Sequence, residues 1–220
     1  IGKFMVREYT WAVFDIDDTL YPASCGLWFE VRDRIHQYMV EVVGVPEDKA
    51  ASQRETYFRK YGTSLAGLQN DYNDFDTDGY VEYVHDVPYK NYIGTNVDLI
   101  REMEAVPLQK AVFTNSDRNH AANVLSALGI DEYFSVIVDV YASKFIPKPA
   151  KGSFDALFER LDADPSECVF LDDQERNLDM AKSLGMTTIL VRHEGEGDTS
   201  ADYCVSNVLE GCSVVRKLCI

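Results

Sequence analysis

The chain has 220 residues, 46% of them hydrophobic and 26% charged, the composition of an ordinary globular protein with room for one α/β core and a smaller accessory unit. Its formal charge of -16 excludes nucleic acid and anionic membranes as main partners, because too few Lys and Arg are present to displace their counterions. A small anionic substrate stays open, since a bound divalent cation inverts the local potential inside an acidic protein.

Five cysteines, Cys25, Cys168, Cys204, Cys212 and Cys219, contain no CxxC pair. Free thiols and a cytoplasmic setting are therefore expected, rather than a disulfide framework or a structural zinc site. No apolar run approaches membrane-spanning length, no signal peptide is recognised, and no role is expected of Ile1 to Phe4.

In chain order, Trp11 to Phe14 is a short apolar run that stops at Asp15, as a strand buried on both faces would. From Pro22 to about Asn96 the pattern turns helical without intervening strands. Val31, Ile35, Met39 and Val42 share one face of a helix ending at Gly44, and Pro46 to Lys49 open another that reaches Tyr61 before Gly62. Ala111 to Phe113 repeats the buried-strand pattern before Thr114. A helix follows with Ala121, Val124, Leu125 and Leu128 on one face and Gly129 as its C-cap. Ser135 to Val138 is a strand. Val169 to Leu171 is another, ending at Asp172, followed by a helix through Leu178, Ala181 and Leu184 with Gly185 closing it. Thr187 to Val191 is a further strand, Glu194 to Thr199 a loop, and Val205 to Ile220 carries no functional signal.

Alternating strands and helices imply a doubly wound parallel sheet, Rossmann-like, built from residues 1–21 and 97–220, with residues 22–96 as an inserted all-helical cap. Ligands of such sheets bind beyond the carboxyl ends of the strands, where Asp15, Thr114 and Asp172 would emerge together.

Asp15-Ile16-Asp17 puts two carboxylates on one side of an extended segment. A lone D-x-D is usually a solvated turn, but at the end of a buried strand clustered carboxylates need a compensating partner. Asp15 is then placed to attack phosphorus, and Asp17 to protonate the leaving oxygen and later activate water. Asp172 and Asp173 add two acids, and so many carboxylates stay ionised only with a cation. Mg2+ fits, with Asp15, the Asp17 carbonyl and Asp172 as ligands and Asp173 binding directly or through water. Simple helix capping is the other reading of Asp172 and Asp173. Thr114 and Asn115 are expected to begin a helix whose hydroxyl and N–H groups cradle phosphate. Lys148, stiffened between Pro147 and Pro149, is a candidate to neutralise the phosphoryl group, with Lys144 and Lys151 as neighbouring competitors.

The segments F-D-I-D-D-T-L-Y, F-T-N-S-D, P-K-P followed by Phe154, and L-D-D-Q-E-R-N resemble, in order and context, the four motifs of haloacid dehalogenase-superfamily phosphatases over roughly Tyr9 to His193. The resemblance implies Asp15 as nucleophile, Asp17 as acid/base, Thr114 and Lys148 as phosphate ligands, Asp172 and Asp173 as metal-site acids, and Asn177 as support for the last motif. The dehalogenase branch fits less well, because a halide leaves without a proton and needs neither Asp17 nor the magnesium acids. Tyr57 to Gly62, Gly67-Leu68 and Asp86 to Tyr89 resemble the helical-capped pyrimidine 5'-nucleotidases, although Asp18 replaces an Asn frequent there. A small phosphate ester, in particular a pyrimidine nucleoside monophosphate, is thus the implied substrate, with Tyr61 able to stack on a base or simply pack in the cap. A sugar-phosphate or phosphoglycolate-type phosphatase and a catalytically silent binding protein remain as alternatives.

Asp74 to Gly79 matches the first half of a calcium loop, but His85 stands where that loop needs a closing Glu, so an acidic turn is expected. His36, His85, His120 and His193 lack ligand spacing. His120 follows Thr114 closely enough to approach the pocket or to pack on a helix surface.

Overall fold

The computed structural model describes residues 8–192 and 197–220; the expectations for Ile1 to Phe4, His193 and the first half of the Glu194 to Thr199 loop lie outside them. Among the described residues six strands form one parallel sheet. They are β1 (Trp11–Phe14), β2 (Gln109–Phe113), β3 (Val136–Val138), β4 (Cys168–Asp172), β5 (Thr187–Val191) and β6 (Tyr203–Val205), in the order β3-β2-β1-β4-β5-β6.

Alternation along the buried strands divides the core in two. Ala12 and Phe14 face one layer with Val112, Leu171 and Ile189, while Trp11 and Val13 face the other with Phe113, Phe170 and Leu190. The first layer is covered by α5 (Val97–Ala105), α6 (Arg118–Leu128) and α9 (Val208–Leu218), which contribute Leu99, Val124, Leu125 and Val215. The second is covered by α7 (Lys151–Leu161) and α8 (Glu175–Leu184) through Phe154, Leu157, Leu178 and Ala181. This is the doubly wound α/β arrangement. The C-terminal segment, which carried no functional signal, supplies an edge strand and a covering helix.

Between β1 and α5 the chain is helical: α1 (Leu27–Glu41), α2 (Glu47–Tyr61), α3 (Ser64–Asp71) and α4 (Thr77–His85). Tyr38 centres this layer, with the rings of Phe75, Tyr80 and Tyr83 at 6.1, 5.1 and 5.3 Å and steeply inclined. Val42 departs from the expected apolar face: α1 stops at Glu41, and Val42 is 58% exposed. Gly67 has a packing reason, since a Cβ there would lie 2.1 Å from the Tyr57 ring. Asp76 in the calcium-like segment caps α4 by accepting the Gly79 N–H at 3.0 Å, and Phe75 packs inward. Among the described residues no helix is long and apolar enough to cross a membrane.

Candidate active site

The register sets Phe14 opposite both Val112 and Leu171, so the residues that follow these strands emerge along one edge of the sheet. A cavity of about 290 Å3 lies there. Its floor includes Asp15, Asp17, Thr114, Asn115, Lys148 and Asp173, and its opposite wall comes from α1, α2 and α4.

Lys148 is 1% exposed and organises the floor. Its ammonium donates to Asp15 Oδ1 at 2.7 Å, to the Phe113 carbonyl at 2.7 Å and to Asp172 Oδ2 at 2.8 Å, which uses all three protons. Burial opposes its charge, but Asp15 and Asp172 outweigh that and hold its pKa above the ordinary lysine value. Asn177 Nδ2 lies 3.0 Å from both Asp172 oxygens, and the Gln174 N–H donates to Asp172 Oδ1 at 2.8 Å. The support expected of Asn177 is thus a direct contact with Asp172.

One oxygen each from Asp15, Asp172 and Asp173 lies within 4.8 Å of the others. Burial raises Asp15 to about 7, with Asp172 and Asp17 adding to the rise and Lys148 opposing it. Burial, then Asp172 and Asp15, also push Asp173 well above the usual carboxylate range. One lysine therefore leaves this acidic cluster under-compensated, and an all-oxygen donor set of this kind suits a hard divalent cation.

Asp17 sits in the turn after β1, where it accepts from Tyr21 OH at 2.5 Å, Ser116 Oγ at 2.9 Å and His120 Nε2 at 2.7 Å. Burial works against its ionisation, yet His120, Tyr21 and Ser116 together hold the carboxyl well below the usual range. His120 is completely buried, and the Asp17 carboxylate overcomes the burial penalty to raise its pKa. Its helix-surface reading is therefore replaced by a direct contact with the candidate acid/base. Asp18 holds φ at 59°, a left-handed conformation that Asp and Asn both tolerate, which accounts for either residue at this position.

Two expectations need correction. Thr114 and Asn115 do not begin the helix: α6 starts at Arg118, with Asp117 as N-cap accepting the Asn119 and His120 N–H groups. Asn115 instead braces the lysine loop, its Oδ1 accepting the Lys148 N–H at 2.7 Å and its Nδ2 donating to the Lys148 carbonyl at 3.2 Å. Nor does Tyr61 belong to the cavity wall. Its ring packs 6.2 Å from that of Tyr57, four residues earlier on the same face of α2, and Phe58 lines the cavity in its place.

The spacing analysis missed Tyr21, Ser116 and the wall arginines Arg32, Arg54 and Arg176. Ser116 was within reach, since it follows the Thr114 strand end by two residues. The arginines carried no signal, for an arginine on a polar helix is ordinarily solvated.

A family model for haloacid dehalogenase-like hydrolases matches residues 9–185. Phosphate metabolism protein 8 of Saccharomyces cerevisiae is 27% identical over 209 residues, covering 86% of this chain and 65% of that protein. Acyl-CoA dehydrogenase family member 10 of Mus musculus is 40% identical over 93 residues, 42% of this chain and 8% of that protein. The chain thus spans 65% and 8% of the lengths of these two relatives.

Solved structures with the same fold include a HAD phosphatase from Thermococcus onnurineus (TM-score 0.63, 19% identity, 94% of this chain and 97% of that one). The magnesium-bound HAD-hydrolase YfnB of Bacillus subtilis (0.64, 15%, 94% and 99%) and L-2-haloacid dehalogenase of Xanthobacter autotrophicus (0.61, 15%, 94% and 98%) share it too. With the family model spanning most of the chain and the matching strand-end carboxylates gathered in one cavity, this protein belongs to the haloacid dehalogenase-like hydrolases.

Proposed function

We propose that the protein is a magnesium-dependent phosphomonoester hydrolase that passes the phosphoryl group through Asp15, with pyrimidine nucleoside 5'-monophosphates as substrates. The observation that carries this reading is the convergence of Asp15, Asp17, Thr114, Lys148 and Asp173 on one cavity, with Asp172 bonded to Lys148 beneath.

Asp15 would attack phosphorus while Asp17 gives a proton to the leaving oxygen; Asp17 would then take a proton from the water that releases phosphate. Lys148 holds Asp15 in position and stands beside the charge that develops there. Thr114, buried just beyond β2, lines the cavity and accepts the Ser116 N–H through Oγ1 at 3.0 Å. Asp15, Asp172, Asp173 and the Asp17 carbonyl would hold Mg2+, which when bound supplies charge neutralisation for the phosphate oxygens. The presence of Asp17 two residues after Asp15 favours phosphoryl transfer over dehalogenation, since only an oxygen leaving group needs a proton. Residues 22–96 would act as the cap and 1–21 with 97–220 as the catalytic core, a division supported by the all-helical run between β1 and α5.

The pyrimidine reading rests on the cap sequence and on a wall containing Trp28, Phe58 and Tyr80. A second reading has a specific observation in its favour. Arg32 and Arg54 line the same wall, Arg54 donates to the Arg32 carbonyl at 3.0 Å, and no ion pair among the described residues engages either guanidinium. Two adjacent cations suit a leaving group with its own anion, as in a phosphoglycolate-type or sugar-phosphate substrate.

UMP, CMP, AMP, sugar phosphates and phosphoglycolate assayed with and without Mg2+ separate the readings. Higher kcat/KM for UMP and CMP than for AMP supports the first, a clear preference for the doubly anionic esters the second. Absence of turnover of every ester with Mg2+ removes both.

A further inference from the structure

We infer that His120 is a positioning residue for Asp17, and that the helical segment between β1 and α5 holds it in place. This rests on the proposed phosphatase reading but adds a residue outside the four motifs and gives the helical segment a part in the chemistry itself.

The geometry is specific. His120 lies in the first turn of α6 and is fully buried, with Nε2 2.7 Å from Asp17 Oδ1. A carboxylate oxygen accepts, so Nε2 carries the hydrogen. On the other side of the ring, Nδ1 lies 3.0 Å from Tyr89 OH. That hydroxyl donates to the His85 carbonyl at 3.0 Å. Having one proton, it is left to accept from Nδ1, and both ring nitrogens of His120 then donate.

The His85 ring stacks on His120 with centroids 4.5 Å apart and planes inclined by 34°, and its Nδ1 lies 2.8 Å from Asp117 Oδ1. Asp117 in turn caps the helix that carries His120. His85 closes α4, and Tyr89 lies just beyond it. Two residues of the helical segment thus clamp the ring that clamps Asp17.

A carboxylate free to rotate about its side-chain bonds would spend much of its time out of line with the leaving oxygen. Tyr21 and Ser116 restrain Asp17 from its own loop and from the end of β2. Only His120 ties it to the helical segment through a second partner, so displacement of that segment would release one of three restraints. The expected consequence is selective: the step that needs a proton suffers, and nucleophilic attack by Asp15 does not.

The test uses two aryl esters, which avoids dependence on the natural substrate. p-Nitrophenolate leaves without help, whereas phenolate is the poorer leaving group and needs the proton. General acid catalysis contributes on the order of 10² to 10⁴, so His120→Leu is expected to lower kcat/KM, which reports formation of the Asp15 ester, about 10²-fold for phenyl phosphate and less than about tenfold for p-nitrophenyl phosphate. His120→Gln keeps an N–H near the Nε2 position and should restore most of the phenyl phosphate rate. Tyr89→Phe, which removes the Nδ1 partner, should show the same ester selectivity to a smaller degree.

Equal losses of kcat/KM on both esters, or failure of Gln to rescue where Leu is folded, overturn the inference. Where His120→Leu does not fold, Tyr89→Phe decides alone, and an absent or unselective effect counts against it. Failure of the underlying reading looks different, for then the unmodified protein with Mg2+ hydrolyses neither ester.

Discussion

The two sides of the cavity are built to opposite standards. On the core side the groups at the strand ends hold one another: Lys148 uses three acceptors, Asp172 is bonded by Lys148, Gln174 and Asn177, and Asp17 by three donors. On the helical side, Arg32 and Arg54 form no ion pair among the described residues, and Phe58 is 38% exposed with the Arg176 guanidinium 3.9 Å from its ring centroid. A dense network of charged hydrogen bonds fixes one geometry, whereas cations without an ion pair can still engage an anion from outside. On the proposed function, chemistry belongs to the strand ends and selection to the helices.

The sharpest break in that division comes from Asp15→Asn, which should lower kcat by on the order of 10⁴-fold or more while the protein stays folded. Circular dichroism and turnover on the same sample check it, and substantial residual turnover removes Asp15 from its role.

Lys148→Met tests whether the core side is also structural. Removing one partner of a buried charge cluster is destabilising by about 3–5 kcal/mol, here because Asp15 and Asp172 lose their shared cation. Denaturant unfolding with and without Mg2+ should show that loss partly recovered by the metal; an unchanged midpoint contradicts the account.

The helical side should respond in binding. Arg54→Ala is expected to raise KM for the preferred ester about 10- to 100-fold with a small change in kcat, the range for a lost charge-assisted contact. A fall in kcat with KM unchanged would place Arg54 with the chemistry instead. Gly67→Ala, which pushes a methyl into the Tyr57 ring, should destabilise by about 1–3 kcal/mol and leave activity per folded molecule intact.

The smallest effect concerns pH. Without metal, burial raises Asp15 from 3.8 to about 7, so in that window the native state holds a proton the unfolded state has lost, and this group's contribution to stability falls as pH rises. A cation needs the ionised form and competes with that proton. The rise in Tm on adding Mg2+ should therefore be larger at about pH 8 than at about pH 5, and a pH-independent shift speaks against the carboxylate metal site.

Legibility in the sequence followed the same division. Strand ends were readable because a strand buried on both faces must be apolar throughout, so the first acid after Phe14 or Leu171 marks the edge of the sheet. Glycine caps made α6 and α8 readable at their C-termini. The start of α6 was misplaced because Asn115 and Asp117 are both competent cap residues, and only the tertiary contact to the Lys148 backbone decides between them. Tyr61 and Phe58 differ by less than one helical turn, and which one faces the cavity depends on how α2 packs against α3. The link between His120 and Asp17 spans 103 positions, and no periodicity reports a contact of that range.

The central claim, that Asp15 carries the phosphoryl group, is tested most directly by trapping it. Asp17→Asn with p-nitrophenyl [32P]phosphate and Mg2+ should release about one equivalent of nitrophenol in a burst and then turn over slowly, because the ester forms without the acid but its hydrolysis lacks the base. Acid quenching followed by peptide mapping is expected to find the label on the peptide containing Asp15, removable by hydroxylamine as an acyl phosphate. A burst with the label elsewhere, or steady turnover with no bound label, would contradict the account.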